Sequence, residues 1–110
     1  MSDNPFLSTL GLAARARRLV SGEEAVIRAI QNGSAKLVVL ARDVGPNTEK
    51  TMRDKCRHYG VMVIVGPDRE TLGRAVGKEA RVVLAVTEMG FARRIAEHHE
   101  RTYGKGREAP

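Results

Sequence analysis

The sequence predicts an α/β fold, an α-β-α sandwich in which helices cover both faces of one sheet. Three short apolar runs rich in β-branched residues, 36–41, 61–65 and 81–86, are typical of strands that are covered on both faces. Segments with apolar residues at helical spacing alternate with these runs, and the connections between them are short. A length of 110 residues fits a single domain with one modest core.

The first part of the chain predicts two helices separated by a short strand. Asn4-Pro5 is a helix start, because Asn suits the cap and Pro suits the first helical position. Leu19-Val20 is a short strand candidate. Ser21 and Glu24 have the spacing of a capping box, so we expect Ser21 to cap a second helix that ends at Asn32-Gly33.

The rest of the chain predicts three more helices between the apolar runs. Asn47 or Thr48 caps the first of them, which ends at Tyr59. The turn Gly66-Pro67-Asp68 leads into the second, which ends at Gly77, and Thr87 caps the third, which runs to about His98. We expect the side chains of Met52, Cys56 and Tyr59 to share the buried face of the first of them. Residues 1–98 form the predicted domain, and 99–110 form a basic tail that we expect to be disordered.

The charge of the chain favours a polyanionic partner. The formal net charge is +6 and the pI is about 10.1, and the basic excess is concentrated in residues 1–20, 41–60 and 101–110. A solvated surface on a moderately basic protein explains the same numbers. No apolar run approaches the roughly 20 residues that a bilayer span requires, and the N-terminus lacks a signal-peptide pattern. We therefore expect a cytoplasmic protein with no membrane partner.

The sequence predicts no catalytic residue, no metal ligand and no cofactor. His98 and His99 are a poor metal pair, because neighbouring side chains on a helix point about 100° apart. Cys56 is expected to be a small buried hydrophobic residue rather than a reactive thiol. Gly73–Lys78 superficially resembles a phosphate-binding loop, but it is one residue short between its glycines, and Glu79 replaces the required Ser or Thr.

The segment Ser21-Gly22-Glu23-Glu24 has two interpretations. A helix start preceded by glycine presents free backbone N–H groups, which suit phosphates or base edges. Alternatively, Glu23 and Glu24 are ordinary first-turn acids that favour the helix dipole.

Several segments together resemble the kink-turn-binding ribosomal protein family, the L-seven-Ae group. The similarity covers about residues 10–95 and is carried by Gly22, Arg28–Asp43, Asp54–Cys56, Val61–Val65 and Leu72–Gly77. More specific motifs look like the YlxQ branch of this family in Gram-positive bacteria. They are Leu12–Ala16, Val20–Glu24, Gly45–Thr48 and Gly90–Ala92.

The resemblance implies a mixed four-stranded sheet, no enzymatic activity, and binding to kinked RNA helices in ribosomal or other structured RNA. In the family, the RNA face combines the loop and helix start after the first strand with the loop before the fourth helix. The RNA-binding residues that we carry over or predict beside them are Ser21, Gly22, Glu23, Glu24, Arg28, Lys36, Val63, Ile64, Val65 and Gly66. We expect a monomer. Binding to protein partners in ribonucleoprotein assemblies is left as an open alternative.

Two positions depart from the family's usual motif, Gly-x-Asn-Glu-x-x-Lys. Gly22 matches the glycine and Arg28 matches the lysine as a cation, but Glu24 occupies the Asn position and Ala25 the Glu position. Each lost base contact costs about 1–3 kcal/mol, so kink-turn affinity would fall by roughly a hundredfold or more. The alternative is an adaptor of the same fold that binds protein partners and has lost or altered this recognition.

Overall fold

The computed structural model describes residues 4–104 and confirms the predicted fold class. Five helices and four strands alternate along this part of the chain. They are α1 (Pro5–Arg15), β1 (Leu19–Ser21), α2 (Glu23–Gln31), β2 (Leu37–Leu40), α3 (Pro46–Tyr59), β3 (Met62–Val65), α4 (Arg69–Ala75), β4 (Val83–Val86) and α5 (Met89–Tyr103).

The four strands form one mixed sheet with the order β1-β4-β2-β3. β4 is antiparallel to both β1 and β2, whereas β2 and β3 are parallel. The carboxyl ends of β1, β2 and β3 and the amino end of β4 therefore lie side by side, along the edge of the sheet that crosses the strand ends. We call this the upper edge, and its strand residues are Ser21, Val83, Leu40 and Val65.

Each face of the sheet is covered by its own group of helices. Successive strand residues point to opposite faces, so alternate residues of β2 and β4 enter different cores. One core, beneath α1, α4 and α5, takes Leu37, Val39, Leu84 and Val86. The other, beneath α2 and α3, takes Val38, Leu40, Val83 and Ala85. This two-sided burial explains why both strands are continuous apolar runs.

The prediction that 61–65 is a buried strand is only partly correct. β3 pairs with β2 alone and forms one edge of the sheet, and the side chain of Met62 is 58% exposed. Tyr59, predicted on the buried face of α3, is also exposed, whereas Met52 and Cys56 are buried as expected. Tyr59 is the last residue of α3 and lies beside the end of α2, where it lines an open pocket with Ile30 and Asn32.

The predicted caps of α3 and α5 are wrong. α3 begins two or three residues earlier than expected, with Pro46 as its first residue and Gly45 as its cap, since proline is preorganised for this position. α5 is capped by Glu88, whose carboxylate accepts a hydrogen bond from the Phe91 amide at 2.7 Å. Thr87 still continues the β1–β4 ladder, where its amide donates to the Arg18 carbonyl at 2.9 Å, and α5 begins two residues later at Met89.

The predicted end of the last helix near His98 is also wrong, because α5 continues to Tyr103. His99 is 6% exposed, and its Nε2 lies 2.8 Å from the Val65 carbonyl oxygen. The rings of His99 and Tyr103 make edge-on contacts with Phe6, with centroids 5.6 and 6.0 Å apart. This packing includes 99–103 in the folded domain, and the rest of the predicted tail, 105–110, lies outside the described residues.

The burial of Cys56 leads to a testable prediction. The thiol is 1% exposed, and burial raises its pKa to about 11 although the nearby Arg53 acts in the opposite direction. At pH 8 the thiolate fraction is then about a hundredfold lower than in the unfolded chain. We expect an aromatic disulfide reagent to leave the native protein unmodified and to label it rapidly in denaturant, as followed by absorbance. Rapid stoichiometric labelling of the native protein would contradict this burial.

Candidate nucleic-acid interface

A glycine-containing turn joins β1 to α2 at the upper edge; we call residues 21–24 the glycine turn. Gly22 has φ 94° and ψ 151°, a backbone region that is essentially restricted to glycine. Its amide donates to the Val83 carbonyl at 3.2 Å, and its carbonyl accepts from Val26 at 3.0 Å. A Cβ built at Gly22 would meet no atom within 4 Å, so the space beside the turn is open to a ligand.

The N-terminus of α2 carries no side-chain cap, which corrects the predicted capping box. Ser21 is the last residue of β1, where it is paired with Leu84, and the cap position falls on Gly22. The Ser21 hydroxyl instead accepts a hydrogen bond from Arg81 Nε at 3.1 Å. The first amides of a helix have no intrahelical acceptor, so those of α2 are available to an anion or a base edge.

Glu23 and Glu24 follow Gly22 in the first turn of α2, whereas Arg28 lies in the last turn of the same helix. All three side chains are exposed, and Thr48 Oγ1 donates to Glu23 Oε1 at 3.3 Å. Arg28 is four residues after Glu24 and shares its side of the helix. No ion pair within residues 4–104 neutralises the Arg28 guanidinium. The glycine turn therefore combines open amides with two carboxylates, and an uncompensated cation lies one helical turn beyond Glu24 on the same side of α2.

The structure does not bring Lys36 to the glycine turn. Lys36 precedes the amino end of β2, at the end of the strands opposite the upper edge, where its amide donates to the Val86 carbonyl at 2.7 Å. Its Nζ donates to the Gly33 carbonyl at 3.1 Å. The nine residues of α2 separate the two positions by about 13 Å along the helix axis. Lys36 therefore does not reach a phosphate group bound at the glycine turn.

The four residues predicted in and after the third strand face the protein more than the surface. Val63 packs against the core beneath α2 and α3, and Ile64 against the core beneath α1, α4 and α5. Val65 and Gly66 are buried. Only Val65 and Gly66 lie at the upper edge, and three strand spacings, about 14 Å, separate them from Gly22. These side chains are not placed to support an extruded base beside the glycine turn.

A network of hydrogen bonds among Asp43, Arg69 and Arg81 lies at the upper edge, between Val65 and the glycine turn. Asp43 accepts hydrogen bonds from the Arg69 amide at 3.0 Å and from Arg69 Nε at 3.2 Å, and its carbonyl accepts from Arg69 Nη2 at 2.6 Å. The Arg69 carbonyl in turn accepts from the Arg81 amide at 3.0 Å. The loops that follow β2, β3 and α4 are thereby held together.

Arg81 is the residue of this surface that the sequence interpretation missed. It was assigned to the start of a strand, but it lies just before β4, and its Nη1 also donates to the Ala80 carbonyl at 3.0 Å. Ser21 and Arg81 are 60 residues apart. Only the pairing of β1 with β4 brings them together, so no local sequence signal could have identified the contact.

Two further observations limit what this part of the chain can do. Within residues 4–104, no group of three His, Cys, Asp or Glu side chains is arranged to hold a metal ion. None of the described helices is both long enough and apolar enough to span a bilayer. The fold and the open, cation-flanked helix start at its upper edge together define an α-β-α binding domain.

The chain belongs to the ribosomal protein L7Ae/L30e/S12e/Gadd45 family, whose model matches residues 6–96. This is a family of ribosomal-type proteins rather than enzymes, and the resemblance predicted from the sequence is confirmed.

Individual relatives extend the comparison. The chain is 50% identical over 95 residues to the RNA-binding protein YlxQ of Bacillus subtilis (strain 168), a match that covers 86% of this chain and 95% of the relative. It is 30% identical over 95 residues to the large ribosomal subunit protein eL8 of Cenarchaeum symbiosum (strain A), covering 86% and 75%. A solved structure of a protein with unknown function from Bacillus halodurans matches with a TM-score of 0.85 and 49% identity, covering 87% and 97%.

Proposed function

We propose that this protein binds structured RNA through the glycine turn and the cations beside it. The observation that carries the proposal is the uncapped start of α2 next to Arg81 and Arg28. It is supported by membership of a ribosomal protein family and by 50% identity to a relative named as RNA-binding. The adaptor alternative has no comparable support.

Two finer statements belong to the same proposal. The RNA is a kinked helix in ribosomal or another structured RNA, and the protein acts in the cytoplasm as a monomer associated with ribosomes or similar assemblies. The first follows from the family's motif, of which Gly22 and Arg28 are retained. The glycine turn provides backbone amides for phosphates even where Glu24 and Ala25 replace base-reading side chains.

A pair of alanine variants with the same charge change tests the location of the site. We expect Arg28→Ala to weaken binding to a kink-turn duplex about three- to tenfold and to reduce the slope of log affinity against log salt by about 1. Lys36→Ala, at the opposite edge, should change the affinity less than about twofold. Fluorescence anisotropy over a range of KCl concentrations measures both quantities.

The outcome separates a local site from general attraction by a basic protein. Equal losses in Arg28→Ala and Lys36→Ala would show that charge alone attracts the RNA, and the glycine turn would then be the wrong site. No binding to any structured RNA at low salt would overturn the proposed function itself. Partners that survive nuclease treatment in a pull-down would then favour the adaptor.

A further inference from the structure

A second basic surface lies beside the glycine turn, in a groove along the edge of β1 that faces away from β4. We call it the β1 groove; the end of α1, β1 and the end of α4 line it, and Ser21 joins it to the glycine turn. Its volume is about 710 Å³, within the range of roughly 300–1,000 Å³ that is typical of ligand sites. The groove is therefore large enough for more than a single phosphate group.

The lining of the β1 groove is cationic without compensation. Its charged side chains are Arg15, Arg17, Arg74 and Lys78, all exposed, and no Asp or Glu of the described chain is among the lining residues. None of these four cations makes an ion pair within residues 4–104. Three of the four Lys and Arg side chains of α3 differ, because Lys50, Arg53 and Arg57 pair with carboxylates of their own helix.

Arg17 has a backbone conformation in which glycine would be more stable than arginine. Its φ is 60°, and it is the only described non-glycine residue with a positive φ. The Arg17 amide donates to Ala14 and the Arg18 amide to Ala13, which is the hydrogen-bond pattern of a helix end that usually has glycine in the left-handed position. An arginine here costs stability and places an exposed cation in the groove, a combination expected at functional sites.

The backbone of β1 adds hydrogen-bonding groups to the same groove. Arg18 and Gly22 bond to β4 through their carbonyl and amide, respectively. Because bonding direction alternates along an antiparallel strand, Leu19 and Ser21 direct their backbone groups away from β4. Both residues line the groove, so their amides and carbonyls are available to a ligand there.

We infer that the β1 groove holds an unpaired RNA strand that continues from the RNA bound at the glycine turn, an inference that rests on the proposed function. Four cations suit successive phosphates, and the outward backbone groups suit 2′-hydroxyls or base edges. The lining has no aromatic ring, so bases pack on aliphatic side chains and guanidinium planes and the binding has little sequence preference. A concave groove admits a single strand, whereas a duplex presents its phosphates on a convex surface.

The test compares a blunt kink-turn duplex with the same duplex carrying an unpaired oligouridine extension on each strand end in turn. We expect one extended duplex to bind the wild-type protein about 5–20-fold tighter than the blunt one, with a steeper salt dependence. Arg17→Gly and Arg74→Ala should lose this gain and keep the affinity for the blunt duplex, whereas Arg28→Ala should bind both more weakly. Arg17→Gly should also raise the melting temperature by about 3–6 °C, which excludes unfolding as the cause of its loss.

Each other outcome contradicts a specific part of the interpretation. Equal affinities for the blunt and all extended duplexes overturn the β1 groove and leave the glycine turn intact. If no duplex binds but oligouridine alone binds and Arg17→Gly weakens it, the groove stands and the proposed function fails. If oligouridine does not bind either, both fail. A polyglutamate peptide that binds where the extension does not would also overturn the inference.

Discussion

Replacing Gly73 with alanine is expected to destabilise the protein by about 3 kcal/mol, even though alanine favours helices more than glycine does. Gly73 is buried in α4, and a Cβ there would overlap the Glu79 carbonyl oxygen and lie 2.5 Å from its carbon. The clash is with backbone, so no side-chain rotation relieves it. The segment between α4 and β4 must move, and this segment carries Arg81 to the glycine turn.

Urea denaturation, monitored by circular dichroism, measures this loss of stability. Under conditions in which the variant remains folded, we also expect it to bind structured RNA more weakly than wild type. Gly90→Ala is the matched control, because it makes the same change in α5, where the new Cβ meets only side-chain atoms of Glu88, the nearest at 3.1 Å, and no backbone. We expect the control to stay within about 1 kcal/mol of wild type. Similar stabilities for the two variants would refute the close backbone approach at Gly73.

Restoring the family's base-reading pair is expected to raise affinity for a kink-turn duplex about a hundredfold. The double variant Glu24→Asn with Ala25→Glu regenerates the motif between Gly22 and Arg28 on the exposed start of α2. Two regained base contacts of about 1–3 kcal/mol each account for this gain. The double variant preserves net charge, so a gain of this size cannot come from general electrostatic attraction to phosphates.

Two comparisons make the result interpretable. Glu24→Gln removes the carboxylate without restoring the pair, and it should improve affinity by no more than about tenfold. A duplex whose G·A pairs are replaced by Watson–Crick pairs should bind the double variant and the wild type equally. If the double variant binds the kink-turn no better than wild type while both bind another structured RNA, the glycine turn reads that RNA in a different way.

The agreement between sequence and structure is closest where structure depends on neighbouring residues. Asn4 Oδ1 accepts a hydrogen bond from the Phe6 amide at 2.9 Å, so the first helix begins where the Asn-Pro pair predicted. The apolar runs of β2 and β4 form fully buried strands because each lies between two strands and beneath two helical layers. Gly22 begins the same helix that carries Arg28, because their spacing is local.

The errors arise where burial depends on a distant partner. The last turn of α5 is held by Phe6 at the other end of the chain, which no periodicity near residues 99–103 could indicate. Met62 is exposed because β3 is an edge strand, and Tyr59 because it ends α3 beside an open pocket, although both residues continue apolar patterns. Lys36 was grouped with the glycine turn as a phosphate contact, yet α2 runs the depth of the sheet between them.

The sequence by itself determined the types of elements, their order, the family and the glycine turn, because hydrophobic periodicity and turn chemistry act between residues close in the chain. Only the tertiary structure decided which cations accompany that turn. The antiparallel pairing of β1 with β4 brings Arg81 to Ser21 and leaves the other edge of β1 open beside Arg15, Arg17, Arg74 and Lys78. Strand order is a property of the whole sheet, so the candidate binding surface could not be read from any one segment.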